Sequence, residues 1–309
     1  MKILFAGTPD FAVLPLENII NSGFEVVGVV TQMDKPQGRK GILTPPPVKV
    51  TAEKYNIPVF QPVKIKEEIS ALQSFNADIL ITCAYGQILT QEVLDLFPMG
   101  VWNIHAGLLP FYRGASPIQS CILNGEKETG VCVMKTELGL DSGDILCVEK
   151  TAITPTETYG ELSNRLSQIG ANLIVNALKV LQSGNYTLTK QGETGVNIVR
   201  KIGKEQAKVS FDNPCESIVN LVRAMNPSPI AYAEINGEKL NIYLAERVDF
   251  DGAGQIGEVV CDIPKKGLIV RAKDGFVKLL EVQISGGKRL KGGDFLNGRK
   301  VKKGDIFSC

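Results

Sequence analysis

Short apolar runs recur through the first hundred residues at Ile3–Ala6, Val26–Val30, Pro58–Phe60, Ile79–Cys83 and Val101–Ile104, with helix-patterned stretches between them. Brief apolar runs bounded by turn formers suit strands buried on both faces. Strands alternating with helices build a mostly parallel sheet covered on both sides. The helix after the first run opens at Pro9-Asp10, where the fixed φ of proline suits a first turn. Runs at Gly130–Thr136 and Ile145–Val148 extend the pattern. Leu162, Leu166, Ile169, Leu173, Ala177 and Leu181 then repeat at helical spacing up to a stop at Ser183-Gly184-Asn185. The expectation is a Rossmann-like sheet over residues 1–189, with ligands gathered beyond the carboxyl ends of its strands.

Residues 190–206 are polar and weakly periodic and read as a linker. From 207 to 309 the texture changes. One short helix near Ser217–Met225 precedes alternating runs at Ala231–Ile235, Leu240–Leu244, Gly257–Val260, Leu268–Arg271 and Val277–Ile284, with Asn236-Gly237 and Asp274-Gly275 as hairpin turns. Five short strands in about a hundred residues fit a small OB-like barrel, a shape that often holds nucleic acid. Charge supports that use: residues 204–309 carry 17 basic against 14 acidic side chains, whereas 1–203 carry 17 against 19. Within 285–303, Lys288, Arg289, Lys291, Arg299, Lys300, Lys302 and Lys303 face Asp294 alone. A solvated face or a phosphate-tracking surface would both look this way.

The chain has one histidine, His105, so imidazole chemistry near neutral pH has a single candidate. Strand alternation puts Asn103 on the same face as His105, beside the Gly- and Pro-containing turn at 107–110. An amide and an imidazole aimed at one spot can polarise a carbonyl. Seven cysteines without a CxxC pair, next to a lone histidine, disfavour a metal site and suit a reducing compartment. The first turn, Gly7-Thr8-Pro9-Asp10-Phe11-Ala12, lacks the GxGxxG that a dinucleotide needs, so NAD is not expected. No apolar run is long enough to span a bilayer, and nothing in the first residues resembles a targeting peptide; no membrane partner is expected.

Several segments together carry a family likeness. They are Phe5-Ala6-Gly7-Thr8-Pro9-Asp10-Phe11-Ala12, Val30-Thr31-Gln32, Asn103-Ile104-His105 with Leu108-Leu109-Pro110, and Tyr112 through Gln119. Gly139-Leu140-Asp141-Ser142-Gly143-Asp144, Arg223-Ala224-Met225-Asn226-Pro227, Gly286-Gly287-Lys288-Arg289 and Phe295-Leu296-Asn297-Gly298-Arg299 complete the set. Nearly end to end, the chain resembles the methionyl-tRNA branch of the 10-formyltetrahydrofolate-dependent formyltransferases. The rear segments point to that branch.

The resemblance implies transfer of a formyl group from 10-formyltetrahydrofolate to the α-amine of methionine on initiator tRNA. It makes Asn103, His105 and Asp141 the catalytic residues. The residue types fit: amide and imidazole donors for a developing oxyanion, and a carboxylate to take a proton. Asp144, in the same loop, reads as a capping residue. Tyr85, Gly86, Ile88, Gly107, Leu108, Leu109 and Pro110 would wall the folate site, although plain core packing would explain the apolar ones equally well. The family usually has serine where Gly107 stands and a smaller aliphatic residue where Trp102 stands. Trp102 is expected to face away from Asn103. In the basic stretch 34–41, Arg39 matches the residue that enters the acceptor stem, with Lys40 beside it. Lys288, Arg289, Arg299 and Lys302 would hold the tRNA backbone. Phe11 is a candidate for the methionine pocket, or for the core.

The alternatives are a formyltransferase acting on an amino sugar nucleotide or glycinamide ribonucleotide, and a formyltetrahydrofolate hydrolase. A monomer in a bacterial cytoplasm is the expected setting.

Overall fold

In the computed structural model, which describes residues 1–38 and 41–308, strand Lys2–Gly7 is an interior strand of a seven-stranded sheet. Its Ile3, Leu4, Phe5 and Ala6 are all fully buried, which is why the run is continuously apolar rather than alternating. Across the sheet the order is Ile145–Ala152, Glu128–Lys135, Val101–His105, Ile79–Cys83, Lys2–Gly7, Glu25–Val30, Val59–Phe60. The last five strands pair in parallel, while Glu128–Lys135 runs antiparallel to both its neighbours. Every apolar run noted in the first 189 residues is one of these strands. Helix Tyr159–Ser183 lays Gly170 against the strand that carries Asn103 and His105; a Cβ there would meet Ile104 Cγ2 at 3.1 Å. Glycine gives that approach without displacing Ile104, which a larger residue would have to shift by a few tenths of an ångström.

The basic stretch 34–41 contains one strand of a small hairpin, Lys35–Gln37, which pairs with Ile42–Thr44. Its base is anchored: Lys49 Nζ donates to both carboxylate oxygens of Asp34 (3.0 and 2.9 Å), and Gln61 Nε2 donates to Asp34 Oδ1 at 2.7 Å. Those bonds, with Gln61 the larger influence, hold the Asp34 carboxyl below its usual pKa. Arg39 and Lys40 lie outside the described residues.

The contacts divide the chain into two units. The first comprises Met1–Pro117, Glu128–Ala152 and Ser163–Arg200; the second takes Ile118–Lys127, Ile153–Leu162 and the residues from Lys201 onward. Residues 190–200, read above as linker, therefore belong to the first unit. They are polar because main-chain pairing and amide bonds secure them: Thr189 bridges Ile145, and Ile198–Val199 pairs with Arg113–Gly114.

In the second unit, helix Cys215–Ala224 precedes antiparallel strands in the order Val259–Cys261, Leu268–Ala272, Gly275–Ile284, Glu238–Val248, Ala231–Ile235, Phe307–Ser308. Register shifts near Ile242 and Leu244 let the long pair curl. A bridge between Glu258 and Ile306 then brings the sheet's two ends together into a nearly closed barrel. Phe211 and Phe307 meet inside it with ring centroids 4.9 Å apart. The Asn236-Gly237 turn forms as expected, both residues having positive φ. The next one forms a residue early: Ala272 pairs with Gly275, so Lys273-Asp274 makes the turn. That offset frees Asp274 Oδ1 to accept from the Cys215 amide at 2.7 Å and cap the helix.

Candidate active site

Strand Val101–His105 brings Asn103 and His105 to the carboxyl edge of the sheet on one face, as alternation requires. The loop after Glu128–Lys135 returns a carboxylate to both. Asn103 Nδ2 donates to Asp141 Oδ1 at 3.3 Å, and His105 Nδ1 lies 3.6 Å from Asp141 Oδ2. Thr82, on the neighbouring strand, donates its hydroxyl to Asn103 Oδ1 at 3.0 Å. With Oδ1 occupied and one amide hydrogen on Asp141, Asn103 keeps one N–H free for a ligand. Thr82 was not foreseen, although a lone hydroxyl in the apolar run Ile79-Leu80-Ile81-Thr82-Cys83 is a visible signal.

His105 is buried, and its Nε2 sits 3.1 Å from the Tyr112 carbonyl oxygen. A carbonyl can only accept, so Nε2 carries the hydrogen and a neutral ring leaves Nδ1 bare toward Asp141. Burial pulls the His105 pKa down. The Asp141 charge and the Tyr112 carbonyl oppose that pull without overcoming it.

Asp141 adopts φ +45°, a left-handed conformation costing a non-glycine residue about 1–2 kcal/mol. Its surroundings hold it there. The Gly114 amide donates to Asp141 Oδ2 at 2.8 Å, while Gln191 Nε2 donates to the Asp141 and Gly143 carbonyls at 2.8 and 2.7 Å. Gly143 passes so close to the Lys135 carbonyl that no Cβ would fit. Gln191 carried no sequence signal, and Gly114 lay in the Tyr112–Gln119 segment without a role attached to it.

The residues expected to wall a folate lie around the same edge. Tyr85 packs in the core, and its main-chain carbonyl accepts from Thr8 Oγ1 (2.9 Å) and Gln32 Nε2 (3.0 Å). Gly86 has φ +85°. Ile88 is 84% exposed, an aliphatic side chain with no packing role of its own. Gly107 lies against the imidazole: a Cβ there would sit 3.1 Å from His105 Nε2. Leu108 reaches the Glu128–Lys135 strand at Gly130, Leu109 packs by Cys132, Met134 and Ile145, and Pro110 follows a cis bond. Trp102 faces the other way, buried, with Nε1 on the Met99 carbonyl.

The remaining candidates are not gathered here. Phe11 is half-buried in the turn Asp10–Ala12, its carbonyl bonded to Ser167 Oγ. Lys288, Arg289, Arg299 and Lys302 are exposed on the second unit; Arg289 pairs with Glu281 at 2.6 Å and covers the Tyr243 ring. Among the described residues no cluster of three metal-ligating side chains occurs, and no helix is long and apolar enough to cross a membrane.

An amide, an imidazole and a carboxylate meeting at the carboxyl edge of such a sheet is an arrangement able to polarise a carbonyl and to move a proton. Comparison with known proteins sharpens this. The formyl transferase family profile matches residues 1–178, and the formyl transferase C-terminal domain matches 201–300. Methionyl-tRNA formyltransferase of Bacillus velezensis is 41% identical over 99% of this chain and 97% of its own. That of Neisseria meningitidis serogroup C is 42% identical over 98% and 99%. Two solved structures share the fold: HypX from Aquifex aeolicus in complex with tetrahydrofolic acid, and the sugar 3N-formyltransferase WlaRD with dTDP and 5-N-formyl-THF. The first has TM-score 0.67 and 17% identity, covering 100% of this chain and 51% of that one. The second has TM-score 0.67 and 19% identity, covering 93% and 99%. The chain belongs to the formyl transferase family, in its methionyl-tRNA formyltransferase branch.

Proposed function

We propose that this enzyme transfers the formyl group of 10-formyltetrahydrofolate to the α-amine of methionine esterified to initiator tRNA. The observation that carries the chemistry is the meeting of Asn103 and His105 with one carboxylate, that of Asp141, at 3.3 and 3.6 Å. The edge suits a folate: Gly107 adds no side chain next to the imidazole, and Ile88 and Leu108 offer apolar surface in the loops after Ile79–Cys83 and Val101–His105. When bound, it supplies the formyl carbon and N10 as the leaving nitrogen. Asn103 turns its free N–H to the formyl oxygen as charge develops there, a donor worth about 10²–10³ in rate. Neutral His105 Nδ1 and the Asp141 carboxylate form a basic pair with room for one proton. That pair draws the proton from the attacking amine and returns it to N10 as the old bond breaks.

The tRNA is held by Lys288, Arg289, Arg299 and Lys302, with Arg39 and Lys40 at the acceptor stem and Phe11 beside the methionine side chain. Neutralised phosphates fix register and carry little sequence information. The reading places a monomer in the bacterial cytoplasm. The decisive assay offers the folate with methionyl-initiator tRNA, methionyl-elongator tRNA, free methionine or water as acceptor. Fast formylation of the initiator species supports the reading. Formate release without formyl-tRNA overturns it in favour of a hydrolase.

A further inference from the structure

The first unit contains a saturated amide beside the reacting groups. Gln191 Oε1 accepts from Arg113 Nε (3.0 Å) and Nη2 (2.7 Å), and its Nε2 donates to the carbonyls of Asp141 (2.8 Å) and Gly143 (2.7 Å). The two ends are not interchangeable, because a guanidinium can only donate and carbonyls can only accept. Arg113 begins the short strand whose next residue, Gly114, donates to the Asp141 carboxylate. Gln191 thus ties together two pieces of chain that both touch Asp141: one supplies its backbone, the other a donor to its side chain. Further pairing secures the segment that carries Gln191, through Thr189 with Ile145 and Val199 with Gly114.

We propose that Gln191 is a positioning residue, which holds the Asp141 loop in its left-handed turn and so fixes the carboxylate at its working distance from His105 and Asn103. The inference rests on Asp141 acting as part of the proton-accepting pair. Substrate contact is not required of Gln191, so its loss separates turnover from binding.

Two variants test this. Gln191→Ala removes both halves of the link. Gln191→Glu has nearly the same shape and keeps the partner of Arg113, but sets a carboxylate oxygen against two carbonyls. Both should lower kcat by about ten- to a hundred-fold, the effect of a displaced catalytic group, with KM for folate and for methionyl-tRNA unchanged. The sole histidine gives a second readout on untagged protein with labelled imidazole, followed by NMR titration. The Asp141 carboxylate is the charged group at Nδ1, and it supports the protonated ring. Loosening the loop should therefore move the His105 titration to lower pH in Gln191→Ala, which adds no charge of its own. Wild-type kcat in the folded variants overturns the proposal. So does a loss that appears equally in KM, or an imidazole titration in Gln191→Ala identical to wild type. If the wild-type enzyme formylates no tRNA, it is the proposed function that fails, and the titration still reports whether Gln191 places Asp141.

Discussion

Thr82 donates its hydroxyl to Asn103 Oδ1 at 3.0 Å, and this bond works with the acceptor-only Asp141 carboxylate at Nδ2 to set which end of the amide faces the site. Flipped by half a turn, Asn103 would present an acceptor where an oxyanion needs a donor. Thr82→Val keeps the shape and removes the bond. One hydrogen bond contributes about 1 kcal/mol net, near fivefold in rate. Steady-state kinetics should show kcat reduced by about that factor at unchanged KM; an undiminished kcat would mean the amide is oriented without Thr82.

Asp141→Asn should lower turnover by about 10²–10⁴ while folate still binds. Asparagine tolerates the φ of +45° at this position, so the loop survives the change. Calorimetric folate binding alongside single-turnover transfer separates the two effects. Near-normal transfer would remove Asp141 from the mechanism.

Gly114 sits at φ +110°, and a Cβ on it would lie 2.5 Å from the Val199 carbonyl oxygen. Gly114→Ala must push the 198–199 segment away and take the amide off Asp141. Melting temperature and kcat should fall together, with about 1–3 kcal/mol of strain introduced. A variant as stable and active as wild type would show that the pairing is dispensable.

His105 is buried with its pKa below the unfolded value of about 6.5. Between those two values the unfolded chain binds one more proton than the folded one, so stability declines as pH falls through that window. The slope reaches at most about 1.4 kcal/mol per pH unit. Thermal unfolding from pH 8 to pH 5 should show the decline, and His105→Gln should flatten it. The carboxyls held low, such as Asp34 and Asp274, act only at more acidic pH.

Binding through phosphates is weakened by salt. Replacing Lys288, Arg299 and Lys302 with alanine should raise KM for tRNA and reduce the log–log salt slope by roughly 0.7–0.9 for each phosphate no longer neutralised. Arg39→Ala should also raise KM for initiator tRNA. Folate KM should not move in either case; if it does, these side chains serve the first unit's chemistry instead.

Apolar runs of four or more residues made most of the main sheet and the barrel legible, because buried strands and hairpins impose periods of one and two on the sequence. Residues 113–114, 198–199, 35–37 and 42–44 escaped for the opposite reason: a strand of two or three residues is too short to show a period. The segment around Gln191 looked like linker because amides and main-chain groups anchor it and leave no apolar trace. Alternation put Asn103 and His105 on one face, but no local pattern could show that a loop 38 residues beyond Asn103 brings Asp141 within reach of both. Asp274 was placed in the right turn and one residue late, since its bond to Cys215 spans 59 residues.

The bridge from Glu258 to Ile306 and the pairing of Ile235 with Phe307 have a consequence for biosynthesis. Strand Ala231–Ile235 is synthesised some 70 residues before its second partner. At about 5–20 residues per second this interval lasts on the order of 4–15 s, with one strand edge unpaired and the slot for Phe307 open to water. Until the last strand arrives, Ala231–Ile235 presents an open edge through which a nascent chain can mispair.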